Sequence, residues 1–473
     1  MFILNPDLRI RKDGCRYILW PSLPLIKGIG FFHKVLFLDE ALVLFLFAKG
    51  AKPEWIKTFL AKLHIEVPSD FARQLLINPN HRFKDMPDLP VLIPCDNFIP
   101  LTNYDLNKFI GKNQPTFEMW HYARVSFPLS IVHVVNYRCN GNCDYCYAPQ
   151  NEKTQYIDLE ILKLRIEEWA EEGVSDVTLT GGDIFLHPKI KEMVYYYLQT
   201  PIEIAVSTKS GYPPWFLEMA KESKQLHLQI SLDVLPGRAA EKLYAAPDFP
   251  LKALYAIDKL EDYKIPYQIH TVIARQNINF VMELINHVLK KHPKSIKRWV
   301  FSPVARSGQR GGSSYRPPSR EKYELLEKEI EQVLLNAEFP FSASFAGNQY
   351  ENMESFLKRA YCSGNRTTFV VLPSGLVTLC EELYDNPMFI LGDLRENTSR
   401  EIWFGNRAKE LFFVEDARLI GSICGNCEYR EKCLVDLGKC WKFAMRAFGE
   451  ENFSMPQPDC PKAPRGRKIG PFS

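Results

Sequence analysis

Between residues 130 and 304 six short β-rich apolar runs alternate with amphipathic helical stretches, and few architectures accept that order. The runs fall at 131–136, 176–180, 203–207, 227–233, 267–273 and 297–303. Between the first two, Leu159, Leu162, Ile166 and Trp169 share one helical face, and the stretch ends at Gly173. After Asn277 the same pattern returns with Val281, Leu284, Ile285 and Val288. A strand followed by a helix and then another strand re-enters the sheet in the same direction. Six such units predict an α/β parallel sheet with right-handed crossovers, curled towards a partial barrel. Chemistry in such sheets gathers at the carboxyl ends of the strands.

Bulk properties exclude several function classes. At 473 residues the chain exceeds one hydrophobic core and divides into about three domains. A net charge of +3 leaves no electrostatic footprint for nucleic acid or an anionic membrane. The densest apolar run, 41–48, is too short to span a bilayer, and no secretory pattern opens the sequence. A cytoplasmic protein is expected, monomeric or weakly dimeric.

Of twelve cysteines, ten lie in spaced groups: Cys139/Cys143/Cys146, Cys362/Cys380, Cys424/Cys427/Cys433/Cys440, and Cys460. Such spacing in a cytosolic chain points to metal or iron–sulfur ligands. Cys15 and Cys95 stand alone as small hydrophobes. The CxxxCxxC loop follows the first strand directly. Three thiolates can hold a cubane of four irons and leave one iron open. That iron can chelate the amino and carboxylate groups of a methionine, and an electron can then cleave the adjacent sulfonium. A zinc site is the alternative, but structural zinc takes four ligands in paired units and no fourth partner lies nearby in sequence.

The strand ends around this loop resemble the radical S-adenosylmethionine (SAM) superfamily. Tyr145 stands where that family places an aromatic residue near the adenine. Thr180-Gly181-Gly182-Asp183 resembles its GGE motif, with Asp183 for the usual Glu; the glycines would let carbonyls approach the methionine ammonium. Ser207 and Lys209 after the third strand, Asp233 after the fourth, and Thr271 and Asn277 around the fifth match polar contacts to SAM. Arg306, after the sixth, could hold a carboxylate or a peptide carbonyl.

Residues 356–463 resemble the SPASM domain, an auxiliary-cluster module, through the cysteine spacing and through Leu391-Gly392-Asp393-Leu394 and Glu401-Ile402-Trp403. The resemblance implies that Cys424, Cys427, Cys433 and Cys460 hold one auxiliary cluster and Cys362, Cys380 and Cys440 the other. The six residues between Cys433 and Cys440 exceed the family's usual three, and residues 351–361 lack the cysteine that often completes the second site. An open iron there could ligate a substrate thiolate; a protein ligand other than cysteine is the alternative. Zinc remains the alternative for the Cys424, Cys427 and Cys433 group.

Near the N-terminus, Asp13-Gly14 is a hairpin signal between 9–12 and 15–19, a third strand is expected near 34–37, and helices at 39–49 and 53–63. With Leu4-Asn5-Pro6-Asp7 before Arg9-Ile10-Arg11, this resembles the winged-helix-like PqqD family, which binds leader peptides by adding a strand to its sheet; a generic winged helix or a structural cap is the alternative. The insertion at 21–32 departs from that pattern. The expected domains are therefore 1–115 for peptide recognition plus a connector, 125–310 for a partial (β/α)6 TIM-like barrel, 311–355 for a linker and bridging helix, and 356–463 for the cluster-stapled SPASM domain.

Taken together, the resemblances imply a radical SAM maturase of a ribosomally synthesised precursor peptide with a leader. It would use SAM, one radical-generating 4Fe-4S cluster and two auxiliary clusters, with electrons from a flavodoxin- or ferredoxin-type donor. A thioether crosslink is the first expectation. Carbon–carbon or carbon–oxygen crosslinking, epimerisation, decarboxylation and sulfatase maturation are alternatives, and a non-enzymatic zinc scaffold a distant one.

Overall fold

A computed structural model describes residues 2–23, 33–65, 69–78, 80, 82, 89–95, 109, 122–143, 145–149, 154–244, 248–304, 316–336, 341–345, 350–384, 386–414 and 416–464. The chain divides into two compact units, Met1–Phe127 and Pro128–Ser473.

In the first unit, strands β1 (Phe2–Leu4), β2 (Leu8–Asp13), β3 (Arg16–Pro21), β4 (Lys34–Leu36) and β5 (Leu92–Pro94) form two small antiparallel sheets, β1 with β5 and β2-β3-β4. Gly14 takes a positive φ of 64°, which closes the β2–β3 turn where Asp13-Gly14 predicts it. Asp13 is fully buried and tolerated there because Arg16 Nε donates to it at 2.8 Å and Ser126 N at 2.7 Å. Helix Leu38–Ala48 is apolar on nearly all sides and is buried accordingly. Helix Pro53–Lys62 follows as expected; helix Asp70–Ile77, capped by Ser69, and the β1–β5 pair were not foreseen, each being too short for a periodic signal.

The second unit is built on one ten-stranded sheet. Its strands are β6 (Ser130–Asn136), β7 (Asp176–Gly181), β8 (Glu203–Thr208), β9 (Leu226–Ser231), β10 (Tyr267–Ile273), β11 (Ile296–Pro303), β12 (Ser342–Phe345), β13 (Thr368–Val371), β14 (Leu376–Thr378) and β15 (Ile390–Asp393). Their order is β12-β11-β10-β9-β8-β7-β6-β13-β14-β15, and β6 to β11 are parallel throughout. All six predicted strands are present, within one or two residues of their expected ends.

Two features differ from expectation. Strand β12 adds a seventh parallel strand beyond β11, and the stretch expected as a separate C-terminal domain opens with a hairpin, β13–β14, that continues the sheet, β13 lying parallel to β6. The physical reason is burial: β13 is apolar at every position but the first, and all four residues are covered, as in a central strand. Helix Ser399–Phe404 then packs on helix Leu159–Glu171, where Trp169 Nε1 donates to Ser399 Oγ at 2.7 Å and Glu168 accepts from the backbone N–H groups of Ser399 and Arg400. Helix Arg320–Asn336, within the stretch expected to hold a linker and bridging helix, buries Leu326 and Ile330; residues 311–315 of that stretch lie outside the described residues. Among the described residues no helix is long and apolar enough to cross a membrane.

Burial holds three histidines of this unit neutral, His133 down to about 3 and His187 and His270 each to about 4. The unfolded chain takes up protons near pH 6.5 and the folded one does not, so stability falls as pH drops from about 6.5 towards 4. Each histidine contributes up to about 1.4 kcal/mol per pH unit. Denaturation midpoints of the chain between pH 7 and 5 should show this slope, and His133→Gln should flatten it by about one proton.

Candidate active site and auxiliary cysteine sites

The carboxyl ends of β6 to β10 converge on the first cysteine loop. Cys146 N bonds to Cys143 O at 3.0 Å, turning the loop, while Asn142 N bonds to Tyr244 O at 2.9 Å. Cys143 is buried and Cys139, Tyr145 and Cys146 half-buried against Val234, Ala240, Leu243, Tyr244, Phe249 and Ala274. Burial pushes the free Cys143 thiol up to about 12, so ligation of iron must displace its proton.

Next to this loop, β7 ends in backbone that only glycine allows. A Cβ on Gly181 would lie 2.1 Å from Asn136 O, and one on Gly182 would lie 2.2 Å from Arg138 O. Gly182 N bonds to Asn136 O at 2.7 Å and Asp183 N to Arg138 O at 2.8 Å, so the GGD turn is stitched to the segment leading into the cysteines. The Asn136 side chain completes the seam: its amide donates to Asp183 O at 3.0 Å, and its oxygen accepts from Arg138 N at 3.1 Å and from the Tyr156 hydroxyl at 2.9 Å. This cradle fits a SAM methionine beside an open iron.

Asp233 is the hub of the adjoining wall. It is fully buried, and its carboxylate accepts from Lys209 Nζ at 2.9 Å, Tyr244 at 2.9 Å, Val272 N at 2.8 Å and the Tyr145 hydroxyl. Burial by itself would raise this carboxyl; Lys209 and the hydrogen bonds outweigh it and hold the group below its usual value. The Lys209 ammonium also lies 5.4 Å from the Tyr145 ring centre and 5.2 Å from that of Tyr244. Asp233→Asn should leave Lys209 without its counter-charge and destabilise the unit by on the order of 3 kcal/mol in chemical denaturation.

The other candidates separate. Asn277 is buried with both amide protons on Asp233 O and Val272 O and its oxygen on Ala274 N, so it braces the Asp233 turn instead of facing a ligand. Asp183 spends its carboxylate on Phe185 N and the Ser210 hydroxyl, holding the loop rather than reaching outward. Ser207 accepts from Gln229 on the neighbouring strand, and Thr271 ties Leu232 O to Trp299. Arg306 lies outside the described residues. Sequence reasoning missed Tyr244, Ser210 and Asn136, which carry no motif of their own.

Further along, Cys424, Cys427, Cys433 and Cys460 all line one cavity. That four sulfurs from three separated segments share one cavity fits a cluster. Cys362, Cys380 and Cys440 form the second group. Cys362 N bonds to Leu437 O at 2.7 Å, and a Cβ on Gly438 would lie 3.0 Å from Cys362 Cβ. Burial, with Cys362 nearby, pushes the Cys440 thiol up to about 12. The long spacing between Cys433 and Cys440 is absorbed by a turn of π-helix, Glu431–Asp436, and by Gly438 at φ 73°. Arg366 Nη2 bonds to Leu434 O at 2.6 Å and to Val435 O at 2.9 Å, satisfying carbonyls of the widened turn.

Residues 134–288 match the radical SAM superfamily, and residues 362–428 match SPASM, an iron-sulfur cluster-binding domain. PqqA peptide cyclase of Rhizobium meliloti (strain 1021) is 21% identical over 351 residues, 72% of this chain and 89% of its own. Sporulation killing factor maturation protein SkfB of Bacillus subtilis (strain 168) is 22% identical over 305 residues, 63% of this chain and 70% of its own. In fold, Streptococcus suis SuiB bound to precursor peptide SuiA corresponds at a TM-score of 0.66 and 15% identity, covering 96% of this chain and 99% of that one. The cysteine loop, its glycine cradle and Cys362, Cys380, Cys424 and Cys427 sit inside matched domains, while Cys433, Cys440 and Cys460 follow the matched stretch, and the chain is a radical SAM superfamily enzyme that uses SAM and 4Fe-4S clusters and carries a SPASM domain.

Proposed function

We propose that this enzyme matures a ribosomally synthesised precursor peptide, and that it installs a thioether crosslink. The observation that carries the reading is the fold correspondence over 96% of the chain, N-terminal unit included, with a protein solved around a precursor peptide. The relatives named peptide cyclase and maturation protein support it.

In this reading Cys139, Cys143 and Cys146 hold the catalytic cluster, Gly181 and Gly182 let backbone approach the SAM methionine, and Tyr145, Lys209 and Asp233 wall the nucleoside side. When bound, cluster and SAM together supply the 5'-deoxyadenosyl radical. Arg306 would hold a carboxylate or carbonyl of the peptide. Cys424, Cys427, Cys433 and Cys460 hold one auxiliary cluster, and Cys362, Cys380 and Cys440 another whose remaining position suits a soft substrate thiolate. The peptide loses one hydrogen atom to the deoxyadenosyl group, and a thiol proton and one electron as the carbon–sulfur bond closes; the cluster that Cys362, Cys380 and Cys440 would hold would supply the acceptor for that electron.

Two experiments test this. A short precursor encoded beside the enzyme should lose two hydrogens on co-expression, and its cysteines should resist alkylation in proportion. Cysteines that still alkylate at the same mass loss would indicate a carbon–carbon or carbon–oxygen bond. No mass change would indicate epimerisation, and a larger loss decarboxylation. Deleting residues 1–127 should abolish binding of the leader while SAM cleavage, driven by a strong chemical reductant, continues uncoupled; unchanged leader affinity would refute the recognition role of the N-terminal unit.

A further inference from the structure

Two buried cations stand at the four-cysteine cavity, Lys439 as part of its lining and Arg359 behind Cys433. Arg359 is 7% exposed and its guanidinium lies 4.1 Å from the Phe356 ring centre. Its Nη1 donates to Phe356 O at 3.0 Å. Its Nη2 donates to Gly438 O at 3.0 Å, to Cys433 O at 3.2 Å and to Cys433 Sγ at 3.2 Å. Lys439, 3% exposed, lines the same cavity and donates to Phe453 O. Among the described residues neither cation is ion-paired with a carboxylate; their nearest acceptors are carbonyls and a cysteine sulfur.

The other cysteine group is arranged differently. There Lys442 and Arg446 both bond to Glu382, Arg446 at 2.6 Å, and Glu381 Oε2 lies 3.7 Å from Cys380 Sγ. Its cations are neutralised within the protein, whereas Arg359 and Lys439 have positive charge left for whatever the four sulfurs bind. A buried guanidinium costs several kcal/mol of desolvation unless negative charge compensates it, and carbonyl dipoles compensate only part. Thiolates on a cluster supply the rest, and hydrogen bonds to those sulfurs are among the factors that set a cluster's potential.

We infer that Arg359, through its N–H···S bond to Cys433, sets the reduction potential of the auxiliary cluster held by Cys424, Cys427, Cys433 and Cys460, making that cluster easier to reduce than the one at Cys362, Cys380 and Cys440. The one-electron reduced state carries one more negative charge than the oxidised state. A fixed positive charge at 3.2 Å from a ligand sulfur favours the reduced state. Arg359 is a positioning residue in this role, acting through Cys433 on the group bound there. The inference rests on the cluster-ligand assignment given above, so iron content is measured before potential.

The full chain, reconstituted anaerobically, is titrated potentiometrically with electron paramagnetic resonance as the readout, alongside Arg359→Met, Arg359→Gln and Arg359→Lys. Iron and sulfide should match the unaltered protein. In Arg359→Met one midpoint should become more negative, so that the reduced-to-oxidised ratio at a fixed potential falls about tenfold, or about 59 mV for one electron. Arg359→Lys should recover most of this, and Arg359→Gln, which keeps a donor but not the charge, should not. The other midpoints should stay in place. Unchanged midpoints at full iron content would overturn the proposal, whereas a Cys433→Ala chain with undiminished iron would overturn the ligand assignment beneath it. A measurement on the unaltered chain guards against variants that fail to fold. Labelling arginine with ¹⁵N should give a resolved ¹⁵N hyperfine coupling on one reduced cluster, and its absence would also overturn the proposal.

Discussion

Cys143→Ala should yield no detectable 5'-deoxyadenosine under a strong reductant, and reconstituted iron should fall by about four atoms per chain. The size of the effect follows from where Cys143 sits. It is the most deeply buried of the three loop cysteines, 6% exposed, packed against Tyr244, Phe249 and Ala274. A buried thiol that binds iron gives up its proton and contributes a thiolate that no neighbour can replace. With Cys139, Cys143 and Cys146 as the proposed ligands, the two remaining cysteines would not hold three corners of a cubane, and SAM would have neither an iron to chelate nor an electron to cleave it. Alanine fills most of the same apolar space, so the fold should be retained, and the iron at the downstream groups should stay. Loss of all iron together would show that the loop is required for assembly of the whole unit instead.

Gly182→Ala should weaken SAM binding by about a hundredfold, about 2.7 kcal/mol, with iron content nearly unchanged. The new methyl would lie 2.2 Å from Arg138 O, 2.7 Å from Arg138 C and 2.9 Å from Tyr137 O, all backbone atoms. No side-chain rotation relieves that overlap. The segment carrying Arg138 must move away from the end of β7, which breaks the Gly182–Asn136 and Asp183–Arg138 hydrogen bonds and opens the cradle. Gly182 does not have the positive φ of Gly181, so the variant isolates close approach from backbone conformation. Equilibrium binding of SAM to the reconstituted chain checks it, and an unchanged affinity would mean that the methionine does not lie over this turn.

Much of the molecule was legible because its determinants are local. Alternation of apolar residues at periods of 2 and 3.6 places β6 to β11 and helix Leu159–Glu171, and Asp13-Gly14 places the first hairpin. Cysteine spacing within one loop, or within Cys424 to Cys433, is likewise a short-range pattern; that Cys460 and not Cys440 joins Cys424, Cys427 and Cys433 at one cavity was implied only by the resemblance to the SPASM domain. Two residues chosen by position in a motif are spent elsewhere: Asn277 on bracing backbone and Asp183 on Phe185 N and Ser210. A motif reports which residue stands at a strand end, not which neighbour reaches it first.

The sequence by itself determined the alternation that becomes the parallel strands, the spacing of the cysteines and the glycines that admit a close backbone. Only the tertiary structure decided that the C-terminal hairpin extends the barrel's sheet, that Tyr145 meets Asp233 across 88 residues, and that Arg359 meets Cys433 across 74. Those pairings join side chains with no periodic or spacing signature, and they are selected by the need of each buried charge and hydroxyl to find a partner once the sheet and helices have packed.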